Sequence, residues 1–506
     1  PETVFQIKVS QVSRWIPACT GMTEFDDMPD LKLSMFAIAA LFRIHFICYL
    51  PKGRLKTVRL VLAKFLLKSN ALSLSDDIAM QAHTLVWFRR NLRIRDNAAL
   101  SAAVKRGLPA AGVWVAQGSS EIPNPRQDWF HYQAAAALHG SLAARGVALY
   151  AVNRVEELPA LATRLNVQTV IADEAYTSSE IGQDNRIWRI LDEQGVAFER
   201  VNDRAIFAKA EIMGSHGAPY TDFPHYKEAW LALFRQRFGG QDAGGGCVEI
   251  FQTTSVEMPS FPAWNGQQDM VSAQRGGEDE AGKQWRKFKE NIGFYPIMND
   301  FPARKGTSRL GAYLSAGCIS PRVLAAEAAG QGADAWLDNL IRRDFYQQLA
   351  YHRARIEPES AAESAPFSDD LTERWRQGET GFPLIDAAMR SLKSSGWLHP
   401  ALRSMAAEFL CGVLHQPSEH GIVWFATQQT DFDPALNEGN WQTAARNAHR
   451  RSIDIIQTAR RLDPDGTFVR RHIPELAHLP VNLVHTPWLA SSEIDAHGYP
   501  LPVVAP

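Results

Sequence analysis

Paired cysteines are missing from this chain. Its five cysteines (Cys19, Cys48, Cys247, Cys318 and Cys411) are scattered through 506 residues with no Cys-x-x-Cys spacing. That excludes a disulfide framework and supplies no zinc or iron–sulfur ligand set, so no metal site is expected and the thiols read as reduced ones of a cytoplasmic protein. Excess charge of either sign is missing too. The formal net charge is −2, so nucleic acid would have to be met by a local patch and not by a global field. There is no long uninterrupted apolar run. The nearest, Leu33 to Leu50, is broken by Arg43 and His45, and a central arginine costs a membrane-spanning helix about 2.5–3.5 kcal/mol. No internal repeat is visible. No Gly-x-Gly-x-x-Gly follows the first strand-like segment, so the usual dinucleotide fingerprint is absent.

What remains is the composition of an ordinary globular protein, 45% hydrophobic and 21% charged, with enough aromatics (14 Trp, 25 Phe) for a large core. The length predicts two or more domains. Residues 1–79 read as an appendage outside the functional fold. From Thr84 short apolar segments alternate with helical ones. Strands are expected at Thr84–Phe88, Gly112–Ala116, Val147–Val152, Thr169–Ala172 and Ala197–Val201, with helices such as Asn97–Arg106, Asp128–Arg145 and Ile181–Gln194 between them. This is the pattern of a parallel α/β sheet with right-handed crossovers over residues 82–238. Residues 239–282, rich in Gly, Gln, Pro and Ser, read as a linker. Residues 283–484 turn helical, with apolar positions three and four apart, and 485–506 read as a short irregular tail.

The most informative stretch is DFDPALNEGNW, Asp431 to Trp441. Two carboxylates, an amide and an indole stand within eleven residues, with Arg403 upstream in a helical run. An Arg–Asp pair fixes a cation beside a ring that becomes anionic on reduction. An amide can serve a ring nitrogen whose protonation follows redox state, and an indole can pass a single electron. The set points to one-electron flavin chemistry. Upstream, Gly306-Thr307-Ser308-Arg309-Leu310 opens a helix, and hydroxyls with free N–H groups there make an anion site. Taken singly, each residue has a blander reading: a cap, a structural ion pair, a core tryptophan.

These segments resemble the DNA photolyase and cryptochrome family. TLVWFRRNLRIRDN (Thr84–Asn97) is similar to its opening strand and helix. GTSRLGAYLSAGCISPR (Gly306–Arg322) resembles its FAD-phosphate loop. RDFY (Arg343–Tyr346), GFPLIDAAMRSL (Gly381–Leu392), GWLHPALR (Gly396–Arg403) and DFDPALNEGNWQ follow in the family's order, and FVRRHIPEL (Phe468–Leu476) with Pro487-Trp488 matches its end. The resemblance spans Thr84 to Val504. It implies an N-terminal Rossmann-like α/β domain, followed by an all-helical domain that binds FAD in a folded-back form. It implies that Tyr295, Thr307, Ser308, Arg309, Leu310, Gly311, Trp336, Arg343, Arg403, Asp431, Phe432, Asp433 and Asn437 hold the cofactor, with Asn437, Trp441 and Arg403 in the catalytic set.

The activity the resemblance implies is light-driven repair of cyclobutane pyrimidine dimers in DNA by one-electron transfer from reduced FAD, acting as a monomer, with an antenna pigment of folate or deazaflavin type as a second chromophore. The chain departs from the family where the lesion would lie. Arg342 and Thr443 stand where two indoles are usual, and Asn299, Asn339, Pro400 and Ser404 replace the usual Arg, Glu, Asn and Met. These six positions are expected to face DNA. Ser418 replaces the usual middle tryptophan of the electron relay, and the distal position falls near Ala365 and Phe367, which leaves Trp397 and Trp424 as alternatives. Asp173-Glu174-Ala175-Tyr176-Thr177 matches the antenna segment only in part. The departures keep a second reading open: a cryptochrome-type flavoprotein that senses light or redox state without repair.

Overall fold

The computed structural model describes residues 83–116, 122–239, 258–266, 274–356, 368–450, 454–490 and 498–506. The N-terminal appendage, Ala365 and Phe367 lie outside the described residues. Five strands form one parallel sheet: β1 (Thr84–Phe88), β2 (Ala110–Val115), β3 (Leu149–Val152), β4 (Thr169–Asp173) and β5 (Ala197–Val201), in the order β3-β2-β1-β4-β5. The strands fall where the sequence places them, to within two residues at each end. Helices α1 (Ala98–Lys105), α2 (Pro125–Ala143), α3 (Leu158–Arg164) and α4 (Ser178–Glu193) make the crossovers. Successive side chains of a strand point to opposite faces. In β1, Leu85 and Trp87 enter the core under α3 and α4, while Val86 and Phe88 enter a second core shared with the helical half.

Helix α5 (Phe223–Phe238) ends the α/β half. Helix α6 (Glu278–Lys289) opens the helical half, starting inside the stretch read as linker. Part of that stretch is pinned: Phe261 stacks on Trp114 at 5.6 Å, and Trp264 packs on Trp129 and Tyr132 of α2. The helical half continues through α7 (Tyr295–Met298), α8 (Gly311–Ala316), α9 (Pro321–Gly330), α10 (Asp334–Ile356), α11 (Asp369–Gln377), α12 (Pro383–Ser395), α13 (Pro400–Glu408), a π-helical turn (Phe409–Val413), α14 (Ser418–Gln428), α15 (Pro434–Arg450), α16 (Ile455–Leu462) and α17 (Thr467–His472). The last residues are docked: Val503 N–H donates to Thr380 O, and Tyr499 Oη donates to the buried Asp386 carboxylate.

The two halves meet at a seam of backbone and buried charge. Gly317 adopts φ 71°, and a Cβ there would sit 1.8 Å from the Arg90 carbonyl oxygen. Leu92 N–H donates to Ala316 O, and the Arg93 guanidinium to Gly317 O. Beyond them, at the carboxyl ends of β1 and β4, Arg89 pairs with Asp173 and Asp184, and Arg204 grips Glu180 with both contacts at 3.0 Å. This is where the strand order reverses, the usual ligand crevice of an open α/β sheet. Here it holds internal ion pairs. The antenna-like segment follows suit: Asp173 faces Arg89 and Arg204, and Glu174 lies 3.8 Å from Lys209. From α10, Arg343 donates to Arg204 O, while the Asp344 carboxylate accepts the Ile206 and Phe207 amides and Trp230 Nε1.

Glu180 illustrates the electrostatics. Burial favours its neutral form, but Arg204, Arg90 and the Tyr176 amide outweigh burial and hold the carboxyl at about 2. A depressed carboxyl pKa contributes stability above its unfolded value and loses it as pH falls through the folded one. The ionised Glu180 therefore stabilises the fold above about pH 4.5 and ceases to between pH 4.5 and 2. Glu180→Gln, which leaves Arg204 short of its partner, is expected to cost about 3–5 kcal/mol at neutral pH and to flatten the acid limb of a stability–pH profile followed by denaturant unfolding.

Candidate functional site

A cavity of about 530 Å³ opens between α8, α10, α13 and α15. Its lining contains Tyr295, Thr307, Ser308, Arg309, Leu310, Gly311, Trp336, Arg343, Arg403, Asp431, Asp433, Asn437 and Trp441 from the expected cofactor and catalytic sets. It also contains all six expected lesion-facing residues: Asn299, Asn339, Arg342, Pro400, Ser404 and Thr443. Phe432 is the exception. It does not line the cavity, because its side chain is buried elsewhere and its carbonyl is held by Gln127 Nε2 and Ser315 Oγ. That anchorage turns the carboxylates on either side of it toward the opening.

The local sequence builds the inner wall. Asp433 caps α15: its Oδ1 accepts the Ala435 and Leu436 amides, with Pro434 at the first helical position where no N–H is needed. Asn437 and Trp441 then follow four residues apart, on one face of the helix. Asn437 Nδ2 donates to Ile422 O at 2.9 Å, so its Oδ1 is the group it can present to a ligand. The Trp441 ring is 2% exposed and packs edge-on against Phe425 and Trp375, with centroids 5.0 and 6.0 Å away. Among the described residues the indole beside Trp441 is thus Trp375, on α11. Trp397 instead lies under the Arg309 guanidinium at 3.9 Å, and Trp424 has Arg376 above it at 5.7 Å.

Arg403 is fixed twice, by Nε donation to Leu398 O at 2.8 Å and by an ion pair with Asp431 Oδ2 at 2.7 Å. Gly311 lies against the same carboxylate. A Cβ there would come within 2.4 Å of Asp431 Oδ2, so only glycine leaves the pair undisturbed. The loop before α8 has its carbonyls tied down, Ser308 O by Gln284 and Arg309 O by Gln274. Arg309 sits in the left-handed region at φ 53°, which turns its side chain to Trp397. Burial is the largest influence on Arg309 and lowers its pKa, and Arg471 adds to that.

The residues fit a flavin nucleotide. Asp431 Oδ1 and Asp433 Oδ2 are buried and have no hydrogen-bond partner. A buried acceptor without a donor is costly. Ring N–H groups and sugar hydroxyls are the donors such oxygens require, and a flavin dinucleotide carries both. Arg343 is buried as well. Burial lowers its pKa, and Asp433 and Asp344 oppose that. Sequence reasoning passed over Arg90, which reaches from the sheet half to within 3.6 Å of Asp433 Oδ2. The pair of arginines after β1 was the available signal. Trp375 was passed over too, since its place beside Trp441 is set by packing between helices remote in sequence.

A wider cleft of about 1400 Å³ runs elsewhere, between α5, α6 and α9. It contains none of the expected site residues. Two of its edges are already closed by the ion pairs Lys227–Asp338 and Lys289–Glu327. Among the described residues no group of His, Cys, Asp or Glu could hold a metal ion, and no helix is long and apolar enough to cross a membrane.

Two substitutions test the inner wall. Asp431→Ala removes both the partner of Arg403 and an acceptor, and should weaken FAD binding at least tenfold, about 1.4 kcal/mol or more, as measured by fluorescence titration of the apoprotein. Gly421→Ala would bring a methyl group to 1.9 Å from the Trp441 ring. It should cost about 1–3 kcal/mol of stability, read as a lower Tm, through displacement of that indole.

Comparison with known proteins bears on the fold and the family. Residues 84–242 match the family described as DNA photolyase, and residues 336–506 match the FAD binding domain of DNA photolyase. Deoxyribodipyrimidine photo-lyase of Vibrio cholerae is 31% identical, covering 80% of this chain and 92% of that protein. Cryptochrome-1 of Arabidopsis thaliana is 26% identical, covering 83% of this chain and 68% of its own length. The crystal structure of a bacterial class III photolyase from Agrobacterium tumefaciens superposes with a TM-score of 0.73 at 26% identity, covering 86% and 96% of the two chains. With a parallel sheet, an FAD-binding helical half and relatives of both kinds along most of its length, this chain belongs to the DNA photolyase/cryptochrome family.

Proposed function

We propose that this protein is a light-driven, FAD-dependent deoxyribodipyrimidine photolyase, a carbon–carbon lyase that splits cyclobutane pyrimidine dimers in DNA. The observation that carries the reading is the meeting of two sets of residues in one cavity. The Arg403–Asp431 pair, Asn437 and Trp441 form its inner wall, and the six expected lesion-facing residues form its mouth. FAD supplies light absorption and one-electron chemistry. The protein supplies placement. Arg403 keeps a fixed positive charge at the inner wall, Asp431 Oδ1 and Asp433 Oδ2 accept the donors that orient the ligand, and Asn437 Oδ1 offers an acceptor for a ring N–H. Trp336, packed on Trp285 with ring centroids 4.9 Å apart, and Trp441 close the walls with apolar surface and exclude water. Phosphates of the DNA would be met by local cations around the mouth and not by a global field, in keeping with the near-zero net charge. We take the protein to act as a cytoplasmic monomer; the buried free thiols Cys318 and Cys411 agree with a reducing compartment.

The chemistry of the mouth favours a second reading, a cryptochrome-type sensor that keeps the flavin and does not repair. The two positions where the family resemblance calls for indoles carry a guanidinium and a hydroxyl. Arg342 stacks on Phe223 at 3.9 Å, and Thr443 Oγ1 lies 3.1 Å from Tyr346 Oη. Base–aromatic stacking is worth about 1–3 kcal/mol per base, so binding of a dimer must draw on other contacts. One assay separates the two. The purified protein, with its flavin reduced, is illuminated with an oligonucleotide carrying a thymine dimer. Recovery of absorbance at the thymine band is expected for the lyase, and flavin-bound protein that takes up the oligonucleotide without that recovery would leave the sensor reading.

A further inference from the structure

The start of α2 belongs to the sheet half, yet its side chains are spent on the helical half. Asn124, 2% exposed, uses its whole amide. Its Oδ1 accepts the Gln127 amide and so caps α2, while Nδ2 donates to Ala426 O at 2.7 Å and to Gln429 O at 2.8 Å. These carbonyls lie in the last turn of α14 and at the residue that ends it, where a helix leaves its C=O groups without internal partners. Gln127, also buried, donates Nε2 to Phe432 O at 2.6 Å. The connector from α14 to α15 is thus gripped at both ends from the other half of the molecule, with Thr430 and Asp431 between the grips. Thr430 N–H is held in turn by Gly396 O.

A cap alone does not call for this arrangement. Ser, Thr or Asp would cap α2 as well as Asn does. Only an amide combines the capping oxygen with two further donors, and here both donors leave the helix they cap. The connector is irregular backbone, and fixing such backbone costs conformational entropy. With its carbonyls already bound, the direction of Asp431 is set before any ligand enters, which is preorganisation in the ordinary sense. Asp431 in turn holds Arg403 at 2.7 Å. The interaction of a charge with its surroundings depends on distance, so the place of that guanidinium matters more to a ring that becomes anionic on reduction than to the neutral oxidised ring.

We propose that Asn124 and Gln127 are positioning residues of the FAD site: from outside the FAD-binding half they set the direction of Asp431 and the place of Arg403, and through them the balance between oxidised and reduced cofactor. Both roles presuppose that the cavity holds FAD. The apoprotein is titrated with FAD, the midpoint potential of the bound flavin is measured against reference dyes, and melting of the apoprotein is followed alongside. Asn124→Ser keeps a cap for α2 and loses both donations to α14, and Gln127→Ala loses the grip on Phe432. Each should weaken FAD binding about tenfold, as expected when a buried carbonyl is left unpaired. Together they should lower the midpoint potential by about 30 mV or more, the equivalent of a tenfold greater loss for the reduced form in a two-electron couple. Leu138→Ala, a truncation in the buried core of the same helix, should lower the melting temperature of the apoprotein and leave the potential where it is. Unchanged affinity and potential in the double variant would overturn the assignment. An equal shift of potential in Leu138→Ala would overturn it too, since the role would then be one of stability alone. Wild-type apoprotein that takes up no FAD would instead overturn the reading of the cavity.

Discussion

Arg90 is the constraint on which the rest of the architecture turns. It leaves the end of β1, reaches Glu180 at 3.5 Å on the sheet side, and approaches Asp433 at 3.6 Å on the helical side. Its companions close the layer: Arg204 with Glu180, and Arg343 from α10 on the Arg204 carbonyl. Buried ions survive only when every charge has a partner. The sheet half and the cofactor segment therefore form one electrostatic object. Asp433 caps α15 through Oδ1 and turns Oδ2, 3.6 Å from Arg90, toward the cavity, so the helix that carries Asn437 and Trp441 is oriented from outside the helical half.

Much of this was legible in the sequence, for physical reasons that differ by element. The central strands were visible because both faces of the sheet are covered there, which makes them short continuous apolar runs, as in Thr84–Phe88, whereas the edge strand β5 carries Glu199 and Arg200. The inner wall was visible because its geometry is local: a cap at Asp433 and a four-residue step from Asn437 to Trp441 are properties of one helix. The Arg403–Asp431 pair was legible as chemistry, although its contact is tertiary, because few other roles call for those groups together. Phe432 shows the limit of reading a contiguous motif, since neighbours in an extended segment point opposite ways.

Features made by packing between remote segments were not legible. Trp375 of α11 meets Trp441 of α15 edge-on across 66 residues of sequence, and no spacing in the sequence reports that. Trp397 and Trp424, nearer in sequence to the site, are engaged by Arg309 and Arg376 instead. The tail carries no periodic pattern, yet it is fastened by Tyr499 and Val503 to the Thr380–Asp386 region. The antenna-like segment reads as a ligand site only while its carboxylates are thought free. The partners that occupy them, Arg89, Arg204 and Lys209, come from three other places in the chain.

Gly317 carries one more implication. Its backbone rests directly on that of Arg90 and Asn91, with no room for a single added carbon. Two regions that touch main chain to main chain, with arginines interlocked around the contact, cannot loosen by degrees. The sheet and the helices should melt together in one cooperative event, and neither would be expected to persist as a separate folding unit if the polypeptide were cut between them.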